Sequence, residues 1–380
     1  MAILVACHYI MEKHFVRVNW SLFLIFSSAG LVPFSIDKRT LHVRESVGKF
    51  ILWLLVVSIN ITCFYQIYSN SLRGNWHGMV VKFSQWCILI LITVDAGCIL
   101  VQALLCRRNH MLLINDIVVD DFIIREKYRL QLNDQRIKRR TLIKILLLGL
   151  HWSLIHVCEI ISTQEKLLAL QKALTSVPLV WLLNVRLSMQ IFYIDLVAER
   201  LHILNGELQF LGNEDMNFAN GQPNFREVIR RVQQTYTAIW KCFRKINCIF
   251  GWSTVTLVLK LFVLLIITSF WCINGQKSFN NNGWLYLESS LSIVFIISSL
   301  ALLCHSAANC KRKSLDTAEA LLKPDYDYED LDVRDFLAQM QHQPFVTSAN
   351  GFFDIDYCLL GSTLATTATY IVIMLQLEGN

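Results

Sequence analysis

The sequence is short of charge. Only 17% of its 380 residues are Asp, Glu, Lys or Arg, and 54% are hydrophobic. Soluble domains carry roughly 25% charged residues, so an ordinary water-soluble domain is excluded and an integral membrane protein is indicated. Metal and disulfide frameworks are lacking too. The twelve cysteines fall singly in apolar segments with no Cys-x-x-Cys pair, which marks most of them as small buried hydrophobes. No Gly-rich phosphate loop, Gly-x-Ser-x-Gly or His-Glu-x-x-His occurs, so nothing points to an enzyme or a cofactor. No internal repeat of the kind common in transporters is visible. The apolar start, Met1 to Ile10, has its charges after it rather than before it, and no cleaved signal is expected. The net charge of +6 comes from loops between apolar runs and does not indicate a nucleic-acid partner.

What is present is a succession of apolar runs. Spans of roughly twenty residues, the length a bilayer requires, are expected at 50–68, 79–105, 141–163, 174–198, 248–273, 284–305 and 354–377. Residues 15–32 form an amphipathic or partly buried helix before the first span, and Asp37 to Lys49 a charged connector. The basic residues are distributed unevenly. Segments on the N-terminal side of the membrane hold twenty-seven Lys and Arg, against four on the other side. The positive-inside rule puts the N-terminus in the cytoplasm and the C-terminus outside. Apolar periodicity in Arg107–Arg140 and Glu199–Lys245 predicts that the second, fourth, fifth and sixth spans continue as helices into the cytoplasm. An acidic stretch, Asp325 to Asp335, precedes a short amphipathic helix around Phe336 and Met340. The external loops are too small for a folded ligand-binding domain. Arg73-Gly74-Asn75-Trp76 and Asn280-Asn281-Asn282-Gly283 read as turns. Asn60-Ile61-Thr62 matches a glycosylation acceptor but lies inside the first span.

The last span is the most informative. Ser362, Thr366, Thr369, Ile373 and Gln376 recur at intervals of four and three, on one helix face. That face is either a close-packing surface for another helix or the wetted wall of a pore. Thr369-Tyr370, five apolar residues and then Gln376 resembles the signature that closes insect gustatory receptors. Gln343-Pro344-Phe345, Ala349-Asn350-Gly351-Phe352-Phe353 and Gly30-Leu31-Val32-Pro33-Phe34 are similar to other segments of that family. The resemblance implies a seven-helix, all-α membrane protein with an intracellular N-terminus. This is the reverse of a G-protein-coupled receptor, whose Asp-Arg-Tyr and Asn-Pro-x-x-Tyr signatures are missing. It further implies a ligand-gated non-selective cation channel for small-molecule tastants in the plasma membrane of sensory neurons. Such a channel is a tetramer among membrane lipids, with other receptor subunits as partners. The last helix lines the pore, Ile373 and Gln376 form its narrow rings, and Tyr370 packs on a neighbouring helix with its hydroxyl bonded there. A subunit active only in hetero-oligomers, or a multi-pass transporter, are the alternatives.

This reading divides the chain into a cytoplasmic segment (1–49), a six-helix ligand-binding bundle (50–305), a connector (306–353) and the pore helix (354–380). Charges within spans are costly and face protein or water. Asp95, Arg186 and Lys260 therefore form either a buried pair or the polar floor of a pocket. Trp86, His151, Trp152, His156, Glu159, Trp181, Ser269, Phe270, Tyr286 and Glu288 supply the aromatic and polar mixture of a small-molecule site toward the outer side. His151 and His156 are five apart, off a common face, so no metal pair is expected.

Overall fold

The computed structural model describes residues 2–36, 43–73, 79–128, 134–162, 166–213, 225–278, 283–322 and 331–378. The two expected turns at 74–76 and 280–282, and the acidic stretch from Asp325 to Glu329, lie outside these residues. The chain is nearly all helix, as a bilayer demands of a backbone that must satisfy its own polar groups. Among the described residues ten helices follow in order: α1 (Ala2–Ser28), α2 (Val47–Arg73), α3 (Met79–Leu105), α4 (Arg107–Tyr128), α5 (Asp134–Ser162), α6 (Lys166–Asn213), α7 (Phe225–Ser278), α8 (Gly283–Leu321), α9 (Leu331–His342) and α10 (Tyr357–Glu378). Seven of them, α2, α3, α5, α6, α7, α8 and α10, are long and apolar enough to cross a membrane.

The hub is α6. From Leu182 to Ala198 every residue except Asn184 and Asp195 is buried. A helix that is apolar all round belongs in the interior. The exception Asp195 is held by Lys144 of α5 at 2.7 Å. The partners α7 and α8 share its length: 48, 54 and 39 residues for α6, α7 and α8, or about 72, 81 and 58 Å at 1.5 Å per residue. Each far exceeds a hydrocarbon core of about 30 Å, so each extends well beyond it. There the contacts turn polar. Arg200 of α6 grips Asp121 of α4 at 2.5 Å, Lys245 of α7 pairs with Asp116, and Asn205 of α6 bonds Thr317 of α8 at 2.5 Å.

Four features depart from the sequence expectations. The charged connector is framed by a hairpin: β1 (Phe34–Ile36) pairs antiparallel with β2 (Val43–Glu45), Phe34 facing Glu45. The second span does not run on unbroken, because helix geometry lapses at Cys106. The Cys106 amide still reaches Gln102 and its carbonyl still accepts from His110, so α4 departs from α3 without leaving backbone groups unpaired. The third span begins earlier than expected, at Asp134. The seven spans and the short helix around Phe336 are where expected. Helix α1 begins well before the expected residue 15, with Phe15–Ser28 its apolar, partly buried part, and α9 buries Val333, Phe336 and Met340. The Asn60 amide turns back to the Val56 carbonyl at 2.7 Å inside α2.

Two turns set the chain direction. Gly30, at φ +73°, closes α1. Its N–H bonds the Ser27 carbonyl and that of Leu31 bonds Phe26, the paired pattern of a glycine helix stop. Leu31, Val32 and Phe34 then plunge into the core. Before α10, Asn350 and Gly351 both hold positive φ, and the Ala349 N–H meets the Phe353 carbonyl at 2.9 Å. This tight turn lies on Gly251 of α7, where an added Cβ would come within 3.1 Å of the Asn350 Cβ.

His110 of α4 is buried with its Nε2 2.7 Å from the Tyr193 hydroxyl and the Phe34 ring edge-on at 5.1 Å. Burial first, and the Arg186 charge second, lower its pKa from 6.5 to about 3. A histidine depressed in the folded state takes up its proton first in the unfolded chain. Stability is therefore full above about pH 6.5 and declines as pH falls toward 3. We expect the unfolding temperature to drop between about pH 7 and pH 5 and His110→Gln to flatten that drop. An equal drop in the variant would assign the pH dependence to other groups.

Candidate functional site

Helix α10 begins with a built cap: Asp356 Oδ1 accepts the Cys358 and Leu359 amides at 2.9 and 3.1 Å. Such a cap satisfies donors the helix cannot. The helix lies against α7 and α8 along one side only. Thr363 and Thr367 are buried there, the Tyr370 ring meets Phe262 of α7 edge-on at 6.2 Å, and the Tyr357 hydroxyl meets His305 Nδ1 of α8 at 2.7 Å. The Tyr370 hydroxyl forms no hydrogen bond with the described residues. Ser362, Thr366, Thr369, Ile373 and Gln376 are all exposed. Two hydroxyl-bearing stripes therefore run along α10, one packed within the chain and one left open.

The intramembrane charges sort themselves on α7. Asp95 of α3 is wholly buried and pairs with Lys260 at 2.5 Å, while its other oxygen accepts from Thr256 at 2.7 Å. Arg186 of α6 is not part of this pair. Its guanidinium lies over the Phe250 ring at 3.9 Å and donates to the Ile249 carbonyl at 2.9 Å and to Ser253 Oγ at 2.7 Å. The Ser253 N–H meanwhile donates to Gln102 of α3 at 2.8 Å. Residues 249 and 253 are one helical turn apart. Side chains from two other helices thus engage both ends of a single rung of the α7 backbone ladder.

A second cluster joins α5, α6 and α8. His151 Nε2 reaches the Leu291 carbonyl at 2.9 Å, and its ring abuts Phe295 at 5.5 Å. His156 is held by Glu159 through Nδ1 at 2.7 Å and faces Ser176 Oγ at 3.3 Å through Nε2, with Trp152 edge-on at 4.4 Å. Glu288 of α8 is within electrostatic reach of Glu159 and His156. The other candidates lie apart. Trp86 packs on Tyr68 of α2 at 5.2 Å, Phe270 is buried beside Trp271, Ser269 is half-buried near it, and Trp181 and Tyr286 are exposed. Among the described residues no group of three His, Cys, Asp or Glu is placed to hold a metal ion.

The profile of the 7tm chemosensory receptors matches residues 17–378. The chain belongs to this receptor family. Similar sequences include the Drosophila melanogaster protein named gustatory receptor 23a, 28% identical over 39% of this chain and 41% of that one. Another is gustatory receptor 39b of the same species, 23% identical over 67% of this chain and 72% of that one. The match to the first therefore spans less than half of the relative's length. The fold is similar to that of the insect olfactory receptor OR5 from Machilis hrabei, with a TM-score of 0.72, 12% identity and coverage of 96% of this chain and 99% of that one. A second structure of that protein, in complex with eugenol, gives 0.71 at the same coverage. The protein is a chemoreceptor by descent and not an enzyme.

In this chemosensory receptor the sequence reading did not single out Ser176, Gln102 or Ser253, which bond to His156 and Arg186. Ser176 has a signal in hindsight, since it stands two residues before the helix-internal Pro178. Gln102 is an uncharged polar residue deep in an apolar run, and only the structure gives its partners. The Asp95–Lys260 pair generates a direct test. Removing one partner leaves a buried uncompensated charge, at a cost of about 3–5 kcal/mol, while replacing both is far milder. Asp95→Leu or Lys260→Leu alone should abolish most surface expression, and the double variant should regain it. A double variant no better than either single one would show that the pair is not what holds α3 to α7.

Proposed function

We propose that this chemoreceptor is a ligand-gated, non-selective cation channel for small-molecule tastants, assembled as a tetramer with α10 lining its pore. The observation that carries the reading is the open stripe of α10. Its intrachain packing uses Thr363 and Thr367, so Ser362, Thr366, Thr369, Ile373 and Gln376 remain free to face a symmetry axis. Repeated four times, Ile373 makes an apolar ring that blocks ions by leaving water too few partners. Gln376, nearly one turn further on, offers amide carbonyls without a fixed charge, which suits weak selectivity among cations.

The N-terminus lies in the cytoplasm and the C-terminus outside, supported by the basic asymmetry. The 1–49 segment, the extensions of α6 to α8 and α9 then form a cytoplasmic anchor, and the channel resides in the plasma membrane of sensory neurons. Ligand enters the outer half of each subunit near His151, Trp152, His156, Glu159 and Glu288. That corner combines aromatic walls with a few placed polar groups, as small-molecule sites do. The eugenol bound to OR5 supports a small organic ligand for this fold.

Two measurements test the proposal. In whole-cell recordings Ile373→Ala should raise ligand-independent current several-fold, and Gln376→Glu should raise calcium permeability relative to sodium by adding a ring of negative charge. Unchanged basal current and permeability ratio, in variants that reach the surface, would remove α10 from the pore. For topology, an epitope after Asn380 should bind antibody on intact cells and one before Met1 should not. The opposite labelling would overturn the orientation and with it the gating scheme.

A further inference from the structure

The charges where α3, α6 and α7 meet do not balance. Residues 86–105, 173–194 and 247–273 contain Asp95, Arg186 and Lys260 as their only charged side chains, two cations against one carboxylate. All three helices are described without a gap through this region: Trp86–Leu105, Ala173–Gln209 and Arg226–Ile273. Asp95 cannot serve both cations. Its Oδ2 takes the Lys260 ammonium at 2.5 Å, and its Oδ1 accepts from the Thr256 hydroxyl at 2.7 Å. Arg186 bonds neutral oxygens only: the Ile249 carbonyl, Ser253 Oγ and, at 3.4 Å, Gln102 Oε1. Its Nη1 bonds none of the described residues. Cys98, Cys106 and Tyr193 are also within its electrostatic reach, but two thiols and a phenol are neutral at pH 7. A buried cation left without an opposite charge is costly.

A second unanswered donor stands beside it. Gln102 Oε1 is committed to the Ser253 N–H at 2.8 Å, which fixes how the amide is turned. The same oxygen contacts Arg186, so the Nε2 on the same carbon lies next to the guanidinium. That Nε2 is buried and has no acceptor among the described residues. A water molecule would answer the amide and leave the charge unmet. An anion answers both. Arg186 and Gln102 are only 4% and 5% exposed, which excludes an organic acid and leaves a monatomic ion.

We propose that a chloride ion binds between α3 and α6, held by the Arg186 guanidinium and the Gln102 amide. These two side chains are the ones that grip α7 at Ile249 and Ser253. Between those positions lies Gly251, against which the Asn350 turn before α10 is packed. The ion thus ties the interior of the bundle to the approach of the last helix. Because its ligands are buried within one chain, neither lipid nor a companion subunit competes for them.

The test is a binding measurement, independent of channel activity. Purified full-length protein in zwitterionic lipid nanodiscs, exchanged into gluconate, is titrated with radiolabelled chloride. Saturable binding is expected, displaced by bromide and not by gluconate, and the unfolding temperature should rise with it. Gln102→Glu keeps an acceptor for the Ser253 N–H and supplies the missing negative charge. It should abolish chloride binding and reach, in gluconate, the unfolding temperature that the wild type reaches only in chloride. Gln102→Leu loses the amide donor and should weaken chloride by about tenfold or more. Both variants are checked for wild-type elution. Crystals of the wild type grown in bromide give a readout that needs neither: an anomalous peak beside Arg186 and Gln102 supports the assignment, and a peak only elsewhere overturns it. Absence of saturable binding to the wild type assigns the amide to a water molecule and overturns the proposal. Unchanged affinity in correctly folded variants does the same.

Discussion

Charge that cannot reach water is the constraint on which the membrane half of this receptor depends. Two charged groups from other helices, Asp95 of α3 and Arg186 of α6, both find their partners on α7. Asp95 meets Lys260 across 2.5 Å, and Arg186 meets a carbonyl, a hydroxyl and an aromatic face. Misplacing any of them by one helix face would leave a bare charge in low dielectric, which costs far more than a lost van der Waals contact. The rotation of α3, α6 and α7 about their own axes is therefore set by these groups, and apolar packing fills in around them. Beyond the spans, α6 and α7 are each tied to α4 by ion pairs, Arg200–Asp121 and Lys245–Asp116.

That division explains how much could be read in advance. Span number and approximate limits were legible because a run of about twenty apolar residues has few other uses. The short helix bearing Phe336 and Met340 was legible from its period. Partner choice was not. Whether Asp95 takes Lys260 or Arg186 depends on helix rotation and depth, quantities that residue spacing on a single helix does not encode. The hairpin at Phe34 was invisible because three-residue strands are too short to show alternation. The lapse at Cys106 involves neither glycine nor proline, so no residue announces it.

The candidate site shows the same limit. The open stripe of α10 was readable as a pattern, but the buried stripe of Thr363 and Thr367 was not, since both are small and hydroxylated. Only packing separates them. Of the aromatic and polar candidates, Trp152, His156, Glu159 and Glu288 come together, whereas His151 turns to Leu291 and Phe295 and Trp86 to Tyr68. Residue type foretold composition, and the tertiary arrangement alone decided membership.

The open stripe also bears on how the chain is made. Two of its three hydroxyls donate to the helix's own backbone. Ser362 returns a bond to the Leu359 carbonyl at 3.0 Å and Thr369 to Ala365 at 3.1 Å. A newly inserted single subunit can thus rest α10 against lipid with those hydrogens satisfied by its own backbone. The remaining polar groups on that stripe are the Thr366 hydroxyl and the amide of Gln376, two residues before the described end of α10. A helix of this kind can leave the insertion machinery alone, and in the proposed tetramer the same hydroxyls would later rotate toward water.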